Sequence, residues 1–229
     1  MTVIHVDTAP GIGAVFTGRG FDLSPPGGAD AIARLAATIG MDPARIVVNQ
    51  QVHGNVVLRV SGPHESEACA DGLVTDAAQL GLMARGADCL PVLMWRTDGS
   101  AVAAAHAGWR GIVGGIIGAA VASLGDPTAV AVAIGPGIGP CCYPVSDDVR
   151  DTFADQFGSE TVVGDAVDLG RATRTALERS GVEPAAIADR LACTACDPLG
   201  RFFSYRREGA AAGRHAGLIW RRGEEILNA

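Results

Sequence analysis

Leu90-Pro91-Val92-Leu93-Met94-Trp95, then Thr97-Asp98-Gly99, then Ala101-Val102-Ala103-Ala104-Ala105-His106, form the stretch on which the fold class turns. Two apolar runs of strand length flank a turn, so the segment reads as strand, turn, strand. After Gly108-Trp109-Arg110-Gly111 a helical stretch runs to Leu124. Its glycines at 111, 114, 115 and 118 each weaken helicity by roughly 1 kcal/mol relative to Ala, which suits a helix packed very closely on a sheet. Ala129 to Ile134 follows as a further buried strand and breaks at Gly135-Pro136-Gly137.

Towards the N-terminus, Val3 to Val6 and Ala14 to Phe16 read as strands around Pro10-Gly11. Ala29 to Ile39 carries Ile32, Leu35, Ala36 and Ile39 at helical spacing, with Gly40 as a stop. Ile46 to Val48 and Val56 to Val60 read as strands that enclose the polar segment Asn49 to Asn55. Towards the C-terminus, Ser146 is placed to cap a helix that puts Val149, Phe153 and Phe157 on one face. A second helix spans Leu169 to Arg179, and strands are expected at Arg201 to Tyr205 and Ala216 to Trp220. Helices and strands mix without strict alternation, so the class is α+β, with mixed β-sheets covered by helices in a single domain over residues 1–229.

Composition narrows the function. A hydrophobic share of 48% supports a sizeable core, while the most apolar run, Ile112 to Leu124, is too short to cross a bilayer. No secretory signal opens the chain, so the expectation is a cytoplasmic protein without a membrane partner. Net charge is −7 and no basic run exceeds a pair, which argues against a nucleic-acid partner. Every basic residue is Arg, so lysine Schiff-base chemistry is excluded and any phosphate clamp must use guanidinium groups.

His53 lies between strands, Cys89 follows Asp88 at the mouth of an apolar strand, and His106 ends one before a glycine-rich turn. Strand ends and the turns after them gather site residues, because a rigid sheet aims them. Asp71, Asp76 and Asp88 are candidate acids, bases or orienters of a ligand, with turn capping as the ordinary alternative. Cys193 and Cys196 form a lone C-x-x-C. Pairing with Cys141 and Cys142 would make a second zinc site, but adjacent cysteines have poor chelate geometry, which favours buried structural thiols. His5, His64 and His215 have no chemical context and read as ordinary residues.

Six ordered blocks carry a resemblance: Gln51 to Gly54, Ala70 to Asp76, Ala87 to Val92, His106 to Gly111, Ile134 to Gly139 and Phe202 to Arg207. In these the chain resembles the laccase-domain family, also called multicopper polyphenol oxidoreductase or YfiH-type purine nucleoside phosphorylase. The resemblance implies zinc held by His53, Cys89 and His106, in a fold related to Cys–His deamidase toxins. It also implies phosphorolysis of adenosine, inosine and methylthioadenosine, alongside adenosine deaminase, copper-dependent phenol oxidase and peptidoglycan-precursor editing activities. The partners would be nucleoside and phosphate, and the chain a monomer or homodimer.

Three protein ligands leave zinc an open fourth position, as in catalytic rather than structural sites. Zinc lowers the pKa of bound water from ~15.7 to about 7. Arg19 and Arg110 lie in or near the matching blocks and suit phosphate. The catalytic set is therefore Cys89, His106, Asp88 and Arg110, with Arg19 and Asp71 as substrate-binding residues. The H-x-E signature of zinc cytidine deaminases is absent around His53. Two rivals stand beside zinc chemistry: a thiol hydrolase with Cys89 as nucleophile and His106 as base, and a copper oxidase with Met83 or Met94 as a distant ligand. Copper substituting for zinc at these nitrogen and sulfur ligands would account for oxidase activity. Two features depart from the family pattern: the loop after Arg19 is short, and Pro144 follows Tyr143 where an acidic residue is common.

Overall fold

The computed structural model describes residues 2–25, 28–63, 65–189 and 192–223. Its alternating side chains resolve the apolar run at 90–96. Val92 and Met94 enter one core with Ala103, Ala105, Val132 and Ile134, while Leu93 and Trp95 enter another with Val102, Ala104 and Ala133. A strand buried on both faces reads as continuously apolar, which is why this segment carries no polar alternation.

That strand, Leu90–Arg96, is central in a six-stranded sheet. Its spatial order is Ile187–Asp189, Val130–Ile134, Leu90–Arg96, Val102–Ala107, Gly72–Thr75 and Val57–Arg59. The two outermost pairings are parallel and the inner three antiparallel. A second six-stranded sheet runs Val3–His5, Ile12–Thr17, His215–Arg221, Gly81–Gly86, Ile46–Gln50 and Glu65–Cys69. Ile46–Gln50 pairs in parallel with both of its neighbours, and the other pairings are antiparallel.

The two sheets pack face to face through Ile12, Phe16, Val47, Leu82 and Ile219 on one side and Leu73, Leu93, Trp95 and Val102 on the other. The outer face of the first-described sheet is covered by helices Ile116–Leu124, Asp147–Phe157 and Leu169–Arg179. Helix Ala29–Ile39 covers the other sheet through Leu35 and Ala36, against Val15, Met83 and Leu218. The result is one α+β domain with two mixed sheets sandwiched between helices.

Several local expectations hold. Gly40 closes the first helix in a left-handed conformation, its N–H donating to the Ala36 carbonyl. Val149, Phe153 and Phe157 are buried on one face of their helix. Others are corrected. The helix expected up to Leu124 is two helices, Trp109–Val113 and Ile116–Leu124, because Gly115 adopts φ +90° between them, a conformation costly for any residue with a Cβ. Arg201 to Tyr205 is not a strand. Ser204 instead caps the short helix Tyr205–Glu208, its hydroxyl accepting from the Arg207 N–H. Ser146 precedes its helix in extended conformation but makes no side-chain cap hydrogen bond. Gly72–Thr75 and Gly81–Gly86 are strands that local periodicity did not announce. His64 lies outside the described residues.

Candidate metal centre

Two chain crossings between the sheets build the site. The chain passes from Ile46–Gln50 in one sheet to Val57–Arg59 in the other, and His53 sits in that crossing. It passes again from Gly81–Gly86 to Leu90–Arg96, with Cys89 at the threshold of the second strand. Both crossings meet the end of Val102–Ala107, where His106 shares a strand face with Val102 and Ala104, the face turned towards the other sheet. The candidate ligand atoms of His53, Cys89 and His106 all lie within 4.8 Å of one another. His106 is buried, Cys89 half-buried and His53 exposed, so the cluster opens to solvent on the His53 side. The two imidazole rings stand edge to face, 4.9 Å between centroids.

Asp71 organises this cluster. Its side chain is fully buried and accepts four hydrogen bonds, from the N–H groups of Val52 (3.2 Å), His53 (2.9 Å) and Gly54 (2.7 Å) and from His106 Nδ1 (2.8 Å). A carboxylate can only accept, so Nδ1 carries the hydrogen, and Nε2 is the nitrogen left to bind a metal once it gives up its own proton. Burial raises the Asp71 pKa, but the His106 hydrogen bond and the backbone donors outweigh it and hold the carboxyl below its ordinary value. The three backbone donors also hold His53 at φ +61°, where a residue with a Cβ needs support from its surroundings.

Cys89 and His106 polarise each other. Burial pushes the Cys89 thiol up, yet the charge of His106 and hydrogen bonds from both histidines bring it down to about 6. Burial pushes His106 down, and the Cys89 charge with the Asp71 hydrogen bond raises it to about 9. A thiolate already favoured at neutral pH is a ready metal ligand. Gly108 keeps the space clear, since a Cβ there would lie 2.8 Å from Cys89 Sγ and 3.0 Å from His53 Cδ2.

The other sequence candidates fall in different places. Asp88 is buried with φ +94°, and its two oxygens accept from the Thr194 hydroxyl (2.6 Å) and the Arg206 N–H (2.7 Å). Arg19 is held bidentately by Glu208 (2.6 and 3.1 Å) and lies over the Phe203 ring. Arg110 is exposed, with its guanidinium 4.4 Å from the centre of the Trp109 ring. Asp76 is an exposed partner of Arg59, at 3.5 Å.

The sequence alone assigns no role to Tyr143 or Arg206, although Arg206 lies within the Phe202 to Arg207 block and Tyr143 shortly follows Gly139. Arg206 donates twice to the Pro144 carbonyl (3.2 Å each) and covers the Tyr143 ring at 5.1 Å. Burial raises the Tyr143 hydroxyl to about 12; the charge of Cys89 adds to the rise, and those of Arg206 and Arg110 oppose it. Tyr143, Arg110 and Arg206 therefore share one electrostatic neighbourhood with Cys89. The expectation of buried thiols at the other cysteines is also corrected, because Cys141 and Cys196 are exposed and lie beside the half-buried Cys142 and Cys193.

A family profile described as multi-copper polyphenol oxidoreductase laccase matches residues 28–222. The chain belongs to this family. It is 37% identical over 207 residues to a protein of Streptomyces coelicolor named purine nucleoside phosphorylase, covering 85% of this chain and 83% of that one. A Streptomyces griseus protein of the same name is 36% identical over 199 residues, covering 82% and 78%. Among solved structures, a Neisseria meningitidis protein of the DUF152 family superposes with TM-score 0.86 at 28% identity, covering 97% of this chain and all of that one. Geobacillus stearothermophilus YlmD superposes with TM-score 0.83 at 30% identity, covering 93% of each.

In this laccase-family chain the described residues offer one histidine-containing metal cluster. His5 lies on an edge strand and His215 is buried elsewhere, while Met83 and Met94 sit in separate apolar cores. A coupled multicopper cluster, which needs many more histidines, finds no ligands among them. No described helix is long and apolar enough to cross a membrane.

Proposed function

We propose that this chain is a zinc-dependent purine nucleoside phosphorylase whose metal centre is His53, Cys89 and His106. One observation carries the reading: three ligand-bearing side chains from three separate segments converge within 4.8 Å, and a buried carboxylate fixes the tautomer of the innermost one. Two nitrogens and a thiolate suit zinc, and the relatives named purine nucleoside phosphorylase supply the substrate class. Zinc held by His53, Cys89 and His106 would supply Lewis acidity to the reaction.

In phosphorolysis a phosphate oxygen bonds to the ribose anomeric carbon as the glycosidic bond breaks. The bonding pair leaves with the purine, which takes up a proton. Arg110 and Arg206 are the cations placed to receive phosphate beside Tyr143, which is still protonated at neutral pH and can donate a hydrogen bond. Arg19 is neutralised by a bidentate ion pair with Glu208, whereas the Arg206 guanidinium donates to the Pro144 carbonyl, so the phosphate contact is assigned to Arg206 rather than to Arg19. Asp71 and Asp88 act as positioning residues, the first on the histidine side and the second beside Cys89. The substrates are adenosine, inosine and methylthioadenosine, and the free-thiol chemistry of the centre suits a reducing cytoplasm.

A second reading has its own observation. The ligand atoms of Cys89 and His106 lie within 4.8 Å of each other, and the shifts they induce, Cys89 down and His106 up, suit the thiolate–imidazolium pair of a cysteine hydrolase. One experiment separates the readings: protein purified without added metal is incubated with adenosine with and without phosphate, before and after chelation. Adenine and ribose 1-phosphate formed only with phosphate, and lost on chelation, support the phosphorylase. Inosine formed regardless of phosphate makes the chain a deaminase. Hydrolytic turnover that survives chelation and stops on Cys89 alkylation makes it a thiol enzyme.

A further inference from the structure

We propose that Cys141, Cys142, Cys193 and Cys196 bind a second zinc ion as a closed structural site. The cluster arises from topology rather than local spacing. Val130–Ile134 and Ile187–Asp189 are parallel neighbours, so the segments that leave their C-terminal ends run side by side. Gly137 pairs with Cys193 as an isolated parallel bridge, and the Thr194 N–H donates to the Gly137 carbonyl at 3.0 Å. A short helical turn, Pro140–Cys142, then presents one pair of thiols to the pair in the 193–196 turn.

All four sulfurs lie within 4.8 Å of one another, and Cys141 Sγ is 3.5 Å from Cys196 Sγ. Zinc–sulfur bonds of about 2.3 Å in a regular tetrahedron need sulfurs about 3.8 Å apart, close to this spacing. The Sγ–Sγ distance of 3.5 Å is far beyond the ~2.05 Å of a disulfide.

The backbone is arranged for an anionic sulfur. The Gly139 N–H donates to Cys193 Sγ at 3.3 Å, and the N–H groups of Cys196 and Ala195 also face that sulfur. Four cysteines complete a tetrahedron with no position for substrate, the pattern of a structural site.

The location gives that site a purpose. Thr194, inside the C-x-x-C turn, bonds Asp88 next to Cys89, and Tyr143 directly follows Cys142. The Arg207 guanidinium donates to the Thr194 and Ala195 carbonyls (2.9 Å each). A metal here clamps two segments that border the first centre.

The test is zinc content of the full chain purified under reducing conditions, for wild type, His53→Ala, Cys193→Ser and Cys196→Ser. The expected result is two zinc ions per chain in wild type and one in each variant. X-ray absorption on His53→Ala should then show four sulfurs at about 2.3 Å and no nitrogen. This last measurement leaves the cysteines intact and so does not depend on the serine variants folding. One zinc in wild type, lost in His53→Ala, overturns the proposal while leaving the first centre in place. A Cys141–Cys196 disulfide in protein alkylated at lysis, or an iron–sulfur chromophore, overturns it as well.

Discussion

Asp71→Asn tests whether the buried carboxylate sets the metal affinity of the first centre. The carboxylate accepts four bonds, two on each oxygen: Oδ1 from the His53 N–H and His106 Nδ1, Oδ2 from the Val52 and Gly54 N–H groups. Asparagine keeps one accepting oxygen and turns an NH2 group towards two donors. If the oxygen stays with His106, the Val52 and Gly54 amides lose their acceptor at about 1–3 kcal/mol for each one left unsatisfied. The anionic charge that favours Nδ1–H on His106 is also lost. Loss of an outer carboxylate of this kind typically weakens metal binding 10–100-fold, or about 1.4–2.7 kcal/mol. Competition against a chromophoric zinc chelator reads the affinity, and a thermal melt of the metal-free protein reads the fold. The account expects affinity to fall 10–100-fold, beyond what any change in melting temperature explains. Unchanged zinc affinity in a destabilised protein would show that Asp71 shapes the 52–54 loop without orienting His106, and would refute the argument.

Other outcomes follow from particular contacts. Gly108→Ala puts a methyl 2.8 Å from Cys89 Sγ, so zinc content at the first centre and phosphorolysis should both collapse while the circular dichroism spectrum persists. Arg206→Ala should raise the KM for phosphate at least tenfold with a smaller effect on the KM for nucleoside; equal effects on both would remove it from the phosphate subsite. His215 is fully buried, its Nδ1 has no hydrogen-bond partner, and burial lowers its pKa from 6.5 to about 4. The unfolded chain therefore takes up this proton first, and stability drains away as pH falls from about 6.5 to about 4. At ~1.4 kcal/mol per pH unit the loss is about 3 kcal/mol. A His215→Leu variant should lack that component of the pH dependence in denaturant titrations at pH 7 and pH 4.5, and identical slopes would contradict the assignment.

What could be read from the sequence tracks how local each determinant is. Helices at 29–39, 147–157 and 169–179 declare themselves because each has one buried stripe and one wet face. Gly81–Gly86 is not legible as a strand because its run is short and its burial comes from the partners His215–Arg221 and Ile46–Gln50, distant in sequence. The aromatic run Phe202-Phe203 suggested a strand, but the Asp197–Arg201 ion pair and the Ser204 cap bend that segment into turns. His53, Cys89 and His106 were legible through their blocks, whereas the bonds of Asp71 to both histidine segments needed the fold. The four-cysteine cluster can be raised from the sequence as a second zinc site but is discounted there. Adjacent cysteines look like poor chelators until a parallel strand pairing brings a second turn against them.

Metal removal and return with adenosine and phosphate as substrates is the most direct test of the central claim. Chelated protein should lose adenine release, regain it with one equivalent of zinc at the first centre, and fail to regain it in His53→Ala at equal folded fraction. Full phosphorolysis by the metal-free protein, or by His53→Ala, would contradict the account.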